Sequence, residues 1–189
     1  MASAVARVLS RDAEMAALVR RHGPAPIGER PLFVALVRAV AAQQLSASAA
    51  ATILGRLEAR IGLEAAALAG ARGERMRRCG LSAAKARTLR ELARRSLAGE
   101  LEKLPDLGDE EVRERLLAIR GVGPWTVQMA MIFALGRPDV WPTGDAGIQR
   151  AGLRVYGAAR EDLEALGERF RPWRSHAAWY LWRSLDPGS

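Results

Sequence analysis

The sequence predicts an all-α fold in two lobes with a cleft between them, and three observations carry that expectation. Alanine and leucine dominate while valine and isoleucine are scattered, and no stretch alternates with period two long enough to define a strand. Apolar residues recur instead at helical spacing between glycine and proline breaks. With 189 residues and 49% apolar content the chain can bury a real core, and no tract reads as a linker between independent domains.

Taken in order, the first predicted helix runs from about Asp12 to Arg21, anchored by Leu18 and Val19 and stopped by Gly23-Pro24-Ala25-Pro26. Pro31 suits a first turn, and Phe33, Leu36, Val37, Val40 and Ala41 give the next helix a buried face. It ends at Gln43-Gln44-Leu45-Ser46, where Ser46 can cap the following helix, SASAAATILGRLEARIG. A short helix lies around Leu63 to Ala69, and Met76 to Gly80 reads as a helix stop. Leu81-Ser82 then opens a helix whose inward face is Leu89, Leu92 and Ala93. Gly99 to Asp109 reads as a loop, with Asp109 as N-cap of a helix from Glu110 to Ile119. Two helices, Arg160 to Phe170 and Trp173 to Ser184, close the chain, and Asp186 to Ser189 should fray.

Lys and Arg outnumber Asp and Glu by 29 to 21, for a net charge of +8 and a pI near 11.0. A polyanion, nucleic acid first, is therefore the partner to consider, although a solvated arginine-rich surface would have the same composition. Cys79 is the single cysteine, and His22 and His176 are far apart, so no disulfide framework, iron–sulfur site or side-chain metal cluster is expected. No apolar run suggests a signal segment or a membrane span, which points to an intracellular, soluble protein; the expected localisation is cytoplasmic, with a nucleoid-associated activity, and the expected state a monomer.

The stretch from Leu116 to Arg150 carries the chemistry. Gly121-Val122-Gly123-Pro124 joins two apolar helices, lets the chain reverse tightly, and leaves backbone amides at a helix start able to hold a phosphate. Read alone, the same motif is also a plain interhelical turn. Asp145, between two glycines at the head of a helix from Ala146 to Val155, is a favoured N-cap as well as a presented carboxylate. Trp173, Trp179 and Trp182 cannot all face one way, which leaves at least one able to line a cleft.

These residues resemble the helix-hairpin-helix, Gly/Pro…Asp DNA glycosylases, and within them the 3-methyladenine DNA glycosylase II branch. The resemblance runs from the Phe33 helix through Gln43 to Ser46, Cys79 to Ser82 with Lys85, the hairpin, and Pro142-Thr143-Gly144-Asp145. It continues to Pro172-Trp173-Arg174-Ser175 and Tyr180-Leu181-Trp182. It implies a catalytic role for Asp145 and a DNA-backbone grip from Arg120, Gly121, Val122, Gly123 and Thr126. It implies a base pocket of Trp125, Trp182 and Tyr180, and a wedge at Gln44 or Leu45 that fills the gap left by a flipped nucleotide. One lobe, about 30–110, would carry the wedge; the other, about 1–29 with 111–186, would carry the hairpin, the acid and the C-terminal helix. The resemblance also allows a monovalent cation on hairpin backbone carbonyls, with no other cofactor, and a compact form without an N-terminal sheet domain.

The implied activity is excision of alkylated bases, such as N3- or N7-methylated purines, from double-stranded DNA in base excision repair. Bifunctional relatives place a lysine two positions past the second hairpin glycine; here that position is Trp125, and no lysine follows Lys103, so a monofunctional hydrolase leaving an abasic site is expected. A non-catalytic hairpin DNA-binding protein is the alternative. A glycosylase for mismatched adenine or oxidised bases is disfavoured by the missing cluster cysteines and lysine.

Overall fold

The computed structural model describes residues 2–186. Among them lie twelve α-helices and no β-strand. They are α1 (Ala2–Leu9), α2 (Ala13–His22), α3 (Leu32–Ala42), α4 (Ala47–Arg60), α5 (Ala65–Gly70) and α6 (Gly73–Arg77). There follow α7 (Ala83–Leu97), α8 (Asp109–Leu117), α9 (Pro124–Phe133), α10 (Ala146–Tyr156), α11 (Leu163–Glu168) and α12 (Arg174–Ser184). No helix among these residues is long and apolar enough to cross a membrane.

The chain divides into two compact units, one of Arg30–Leu135 and one of Met1–Glu29 with Gly136–Ser189. The hairpin, expected in the same lobe as Asp145, folds instead with residues 30–110. The reason is local: α3 packs on α9, and polar side chains of residues 43 and 88 bind the hairpin backbone.

In the central unit α3 is apolar nearly all round, with Leu36, Val37, Val40 and Ala41 buried, and it packs against α4, α7 and α9. Helix α9 is its match, burying Val127, Ala130, Met131 and Ile132. Leu89, Leu92 and Ala93 form the inward face of α7, as the spacing predicts, and each fully buried leucine contributes about 1.5–3 kcal/mol over an exposed one. Ser46 caps α4 and Ser82 caps α7 through their hydroxyls. Asp109 is the first residue of α8 rather than its cap; Gly108 occupies the cap position, and the charge of Asp109, Glu110 and Glu111 suits the helix start. The expected loop before it holds one 3₁₀ turn, Leu104–Asp106, and residues 73–77 form a helix, not merely a stop.

The terminal unit is built on Phe170, Trp141, Ile148 and Leu181, with α12 packed on α2 and α10. Helix α1, absent from the sequence expectation, lays Val5 and Leu9 into this core. Asp12 caps α2 at the amide of Met15 (2.9 Å), accepts the Tyr156 hydroxyl (2.7 Å) and pairs with Arg169. Burial, together with the bond to Asp12, drives the Tyr156 phenol far above its ordinary pKa, so it stays a donor. Instead of one helix from Arg160 to Phe170 the chain makes a 3₁₀ turn, Arg160–Asp162, and then α11. At the other end Asp186 pairs with Arg183 (2.6 Å), and the rest of the tail expected to fray lies outside the described residues.

Candidate active site

Two polar side chains of the central unit, Gln43 and Thr88, converge on the hairpin at residues 119–126. Gln43 Nε2 donates to the Gly121 carbonyl (3.0 Å) and to the Thr126 hydroxyl (2.8 Å). The Thr88 hydroxyl donates to the Arg120 carbonyl (3.1 Å), sharing its proton with the Ala84 carbonyl (3.2 Å). Gly121 sits at φ +90°, and a Cβ there would lie 2.0 Å from Thr88 Oγ1, so only glycine allows this approach. Val122 is buried beneath the turn and its amide donates to Ile119 O (3.0 Å). Gly123 precedes α9 and offers no side-chain cap, the arrangement that suits anion binding at a helix start.

The turn after α3 is held from below. Lys85 Nζ donates to the carbonyls of Ala41 (2.9 Å) and Gln43 (2.8 Å), and burial lowers its pKa. On this brace stands Gln44, at φ +56° the single non-glycine residue with positive φ among those described, and exposed to solvent. That conformation costs about 1–2 kcal/mol for an L-residue, a strain that recurs where a side chain must be presented. Leu45 beside it is 41% exposed.

Trp125, in the first turn of α9, lines a cavity of about 210 Å³ with Met129, Phe133, several alanines of α3 and α4, and the arginines Arg30 and Arg38. Arg30 lies over the Phe133 ring at 4.6 Å. Arg120 is exposed on the hairpin, whereas Thr126 is buried, so Thr126 can serve a phosphate grip only through its backbone.

In the terminal unit Asp145 Oδ1 accepts from the Ile148 amide (2.8 Å) and from Trp182 Nε1 (2.8 Å). The acid is thus both the N-cap of α10 and the partner of an indole from α12, half-buried at the helix start. Gly147 makes that contact possible: a Cβ there would come within 2.8 Å of both Asp145 Oδ1 and Trp182 Cδ1. The segment leading to Asp145 is anchored by Ser175, whose hydroxyl donates to Arg137 O (2.6 Å) and accepts from Val140 N (3.0 Å). Arg174 adds a paired contact to Asp139 through Nε (2.7 Å) and Nη2 (3.1 Å).

Tyr180, expected to line a base pocket, is buried instead. It is 3% exposed in the core, and its hydroxyl donates to the Gly23 carbonyl (2.7 Å), leaving no ring face for a base. Trp179 packs edge-on against His22 and Tyr180, and Trp173 edge-on against His176, so of the three C-terminal tryptophans it is Trp182 that meets the acid. No group of three or more His, Cys, Asp and Glu poised to hold a metal occurs among the described residues.

Gln43, Thr88 and Lys85 are the positioning residues for which sequence reasoning found no role. A signal existed for Lys85: it is one of two lysines in an arginine-rich chain, and a compact ammonium reaches two converging carbonyls where a planar guanidinium would not. Lys85→Met should cost about 2–3 kcal/mol in urea denaturation, since it strands both carbonyls, and should loosen the turn carrying Gln44.

Similarity to known proteins agrees with this geometry. DNA-3-methyladenine glycosylase 1 of Schizosaccharomyces pombe is 34% identical over 160 residues, covering 79% of this chain and 70% of that protein. A DNA-3-methyladenine glycosylase of Bacillus subtilis is 30% identical over 100 residues, 50% of this chain and 33% of that protein. Among solved structures, the S. pombe 3-methyladenine DNA glycosylase Mag1 in complex with abasic DNA superposes with a TM-score of 0.85 at 31% identity, covering 98% of both chains. Residues 37–175, which include the turn at Gln44, the hairpin and Asp145, match the description "HhH-GPD superfamily base excision DNA repair protein". With hairpin, capping acid and helical scaffold all in place, the chain belongs to the HhH-GPD superfamily of base excision DNA repair proteins.

Proposed function

We propose that the chain is a monofunctional DNA N-glycosylase that removes alkylated purines from duplex DNA. The observation that carries the reading is Asp145, a half-buried carboxylate bonded to the Trp182 indole, in a chain similar along most of its length to 3-methyladenine glycosylases.

The chemistry asks little of the protein. A purine methylated at a ring nitrogen such as N3 or N7 already carries positive charge, so the bond from C1′ to the base breaks with its electron pair leaving on the base and no acid is required. The sugar becomes an oxocarbenium-like cation, which a carboxylate at Asp145 stabilises. Water then adds at C1′ and gives up a proton to that carboxylate or to solvent, leaving free base and an abasic site. The electron-rich indole of Trp182, bonded to the acid, would favour a cationic base by about 0.5–2 kcal/mol. Residues 120–126 hold backbone phosphate through their amides, and Gln44 fills the vacated stack.

A monovalent cation on the hairpin carbonyls carries no step here. The carbonyls of Ile119, Arg120 and Gly121 each accept one bond, from Val122, Thr88 and Gln43, and each keeps a second lone pair that a cation could use.

Duplexes each bearing one lesion, scored for free base and for abasic sites, test the activity and its lesion preference. Borohydride added during turnover tests the mechanism: it should trap no covalent protein–DNA adduct, because Trp125 stands where an amine nucleophile is needed. A trapped adduct would make the enzyme bifunctional. Gln44→Gly should leave stability unchanged or raise it by up to about 1 kcal/mol, since glycine accepts positive φ freely, while base release falls about tenfold or more.

A further inference from the structure

Below the hairpin, helix α7 and the turn form a second cavity, a groove of about 690 Å³ whose lining includes Arg87, Arg90, Arg94, Arg120 and Gly121. Arg87, Arg90 and Arg94 follow one another at intervals of three and four residues, so they form a single stripe about 10 Å long on α7. Like charges at these spacings destabilise a helix by about 0.2–0.5 kcal/mol per pair, and of the three the fold pairs only Arg94 with a carboxylate. Glu91, the one acid lining the groove, is engaged by Arg95 (2.9 Å) and more loosely by Arg94 (3.6 Å). Arg87, Arg90 and Arg120 have no carboxylate partner among the described residues. Arg90 Nε is moreover buried without any acceptor, a costly arrangement that an anion in the groove would relieve.

We infer that this groove is a second DNA-backbone site, in which phosphates of the strand held at Gly121 continue along α7 against Arg87, Arg90 and Arg94. The hairpin supplies one end, since Arg120 and Gly121 line the same groove. Its recognition is purely electrostatic and independent of base sequence. The inference rests on the reading of duplex DNA as substrate and extends the footprint beyond the grip at residues 120–126.

The test compares three proteins binding a duplex with a central abasic site across a salt series. They are the unaltered chain, the triple variant R87Q/R90Q/R94Q, and a charge-matched control, R56Q/R60Q/R77Q, drawn from α4 and α6. Thermal melting first establishes that each is folded. Each lost phosphate contact lowers the slope of log K against log salt by about 0.9, so the α7 variant should lose about 2.7 in slope. Its affinity deficit relative to the unaltered chain should then shrink about 40-fold between 50 and 200 mM salt. A slope no lower than that of the control overturns the inference and leaves the glycosylase reading standing. Failure of the unaltered, folded chain to bind duplex at any salt overturns both.

Discussion

Asp145→Asn is expected to slow single-turnover release of a methylated purine by a factor on the order of 10²–10³ or more, with affinity for abasic duplex nearly unchanged. Asparagine keeps an oxygen that can take both of the bonds made by Oδ1. The amide oxygen can still accept from Ile148 N and from Trp182 Nε1, so the cap of α10 and the indole contact persist. What disappears is the negative charge that the proposed mechanism sets against the developing sugar cation. A fall in release with equal melting temperature and equal DNA affinity therefore isolates the electrostatic role. Unfolding of the variant would instead mean that the cap is the residue's main work.

Gly121→Ala should destabilise the protein by about 2–4 kcal/mol, from a positive φ that costs an L-residue about 1–2 kcal/mol and from a displaced Thr88. The added Cβ would sit 2.0 Å from Thr88 Oγ1 and 3.1 Å from its Cβ, so the threonine must move and its bond to Arg120 O breaks. Gly123→Ala is the informative partner. There φ is −107° and a new Cβ meets nothing within 4 Å, so stability should change by less than about 0.5 kcal/mol. If the amides of this turn seat a phosphate, that methyl still stands in the anion's approach, and DNA affinity should fall in both variants. Urea denaturation and duplex titration of the pair separate the scaffold from the grip; undiminished DNA affinity in Gly123→Ala would remove the phosphate role from that glycine.

The contrast between the two glycines shows what could and could not be read from residue order. Both invite the same reading in sequence, a tight turn with bare amides, yet only Gly121 is required by packing, and that fact depends on Thr88 from another helix. Asp145 was visible because the break before it and the helix after it are local signals; its bond to Trp182 spans 37 residues and was not. Tyr180 misled for the complementary reason. Two residues from Trp182 on a helix, it lies about 200° around the axis, so one side chain reaches the acid while the other reaches Gly23 at the end of α2. The lobe boundary was misplaced at the loop before α8 because the polar residues that bind the hairpin into the central unit, Gln43 and Thr88, carry no periodic signature. The apolar faces of α3, α7 and α9 were plain in the sequence, since burial imposes a spacing whereas a single hydrogen bond does not.

Chromatography of free bases tests base excision by this protein. Duplex DNA methylated at purine ring nitrogens, incubated with the folded protein, should release methylated purine with one abasic site per base and no strand cleavage by the protein itself; the same preparation of Asp145→Asn should release almost none. Absence of free base from any methylated duplex, or equal release by the two proteins, would contradict the account.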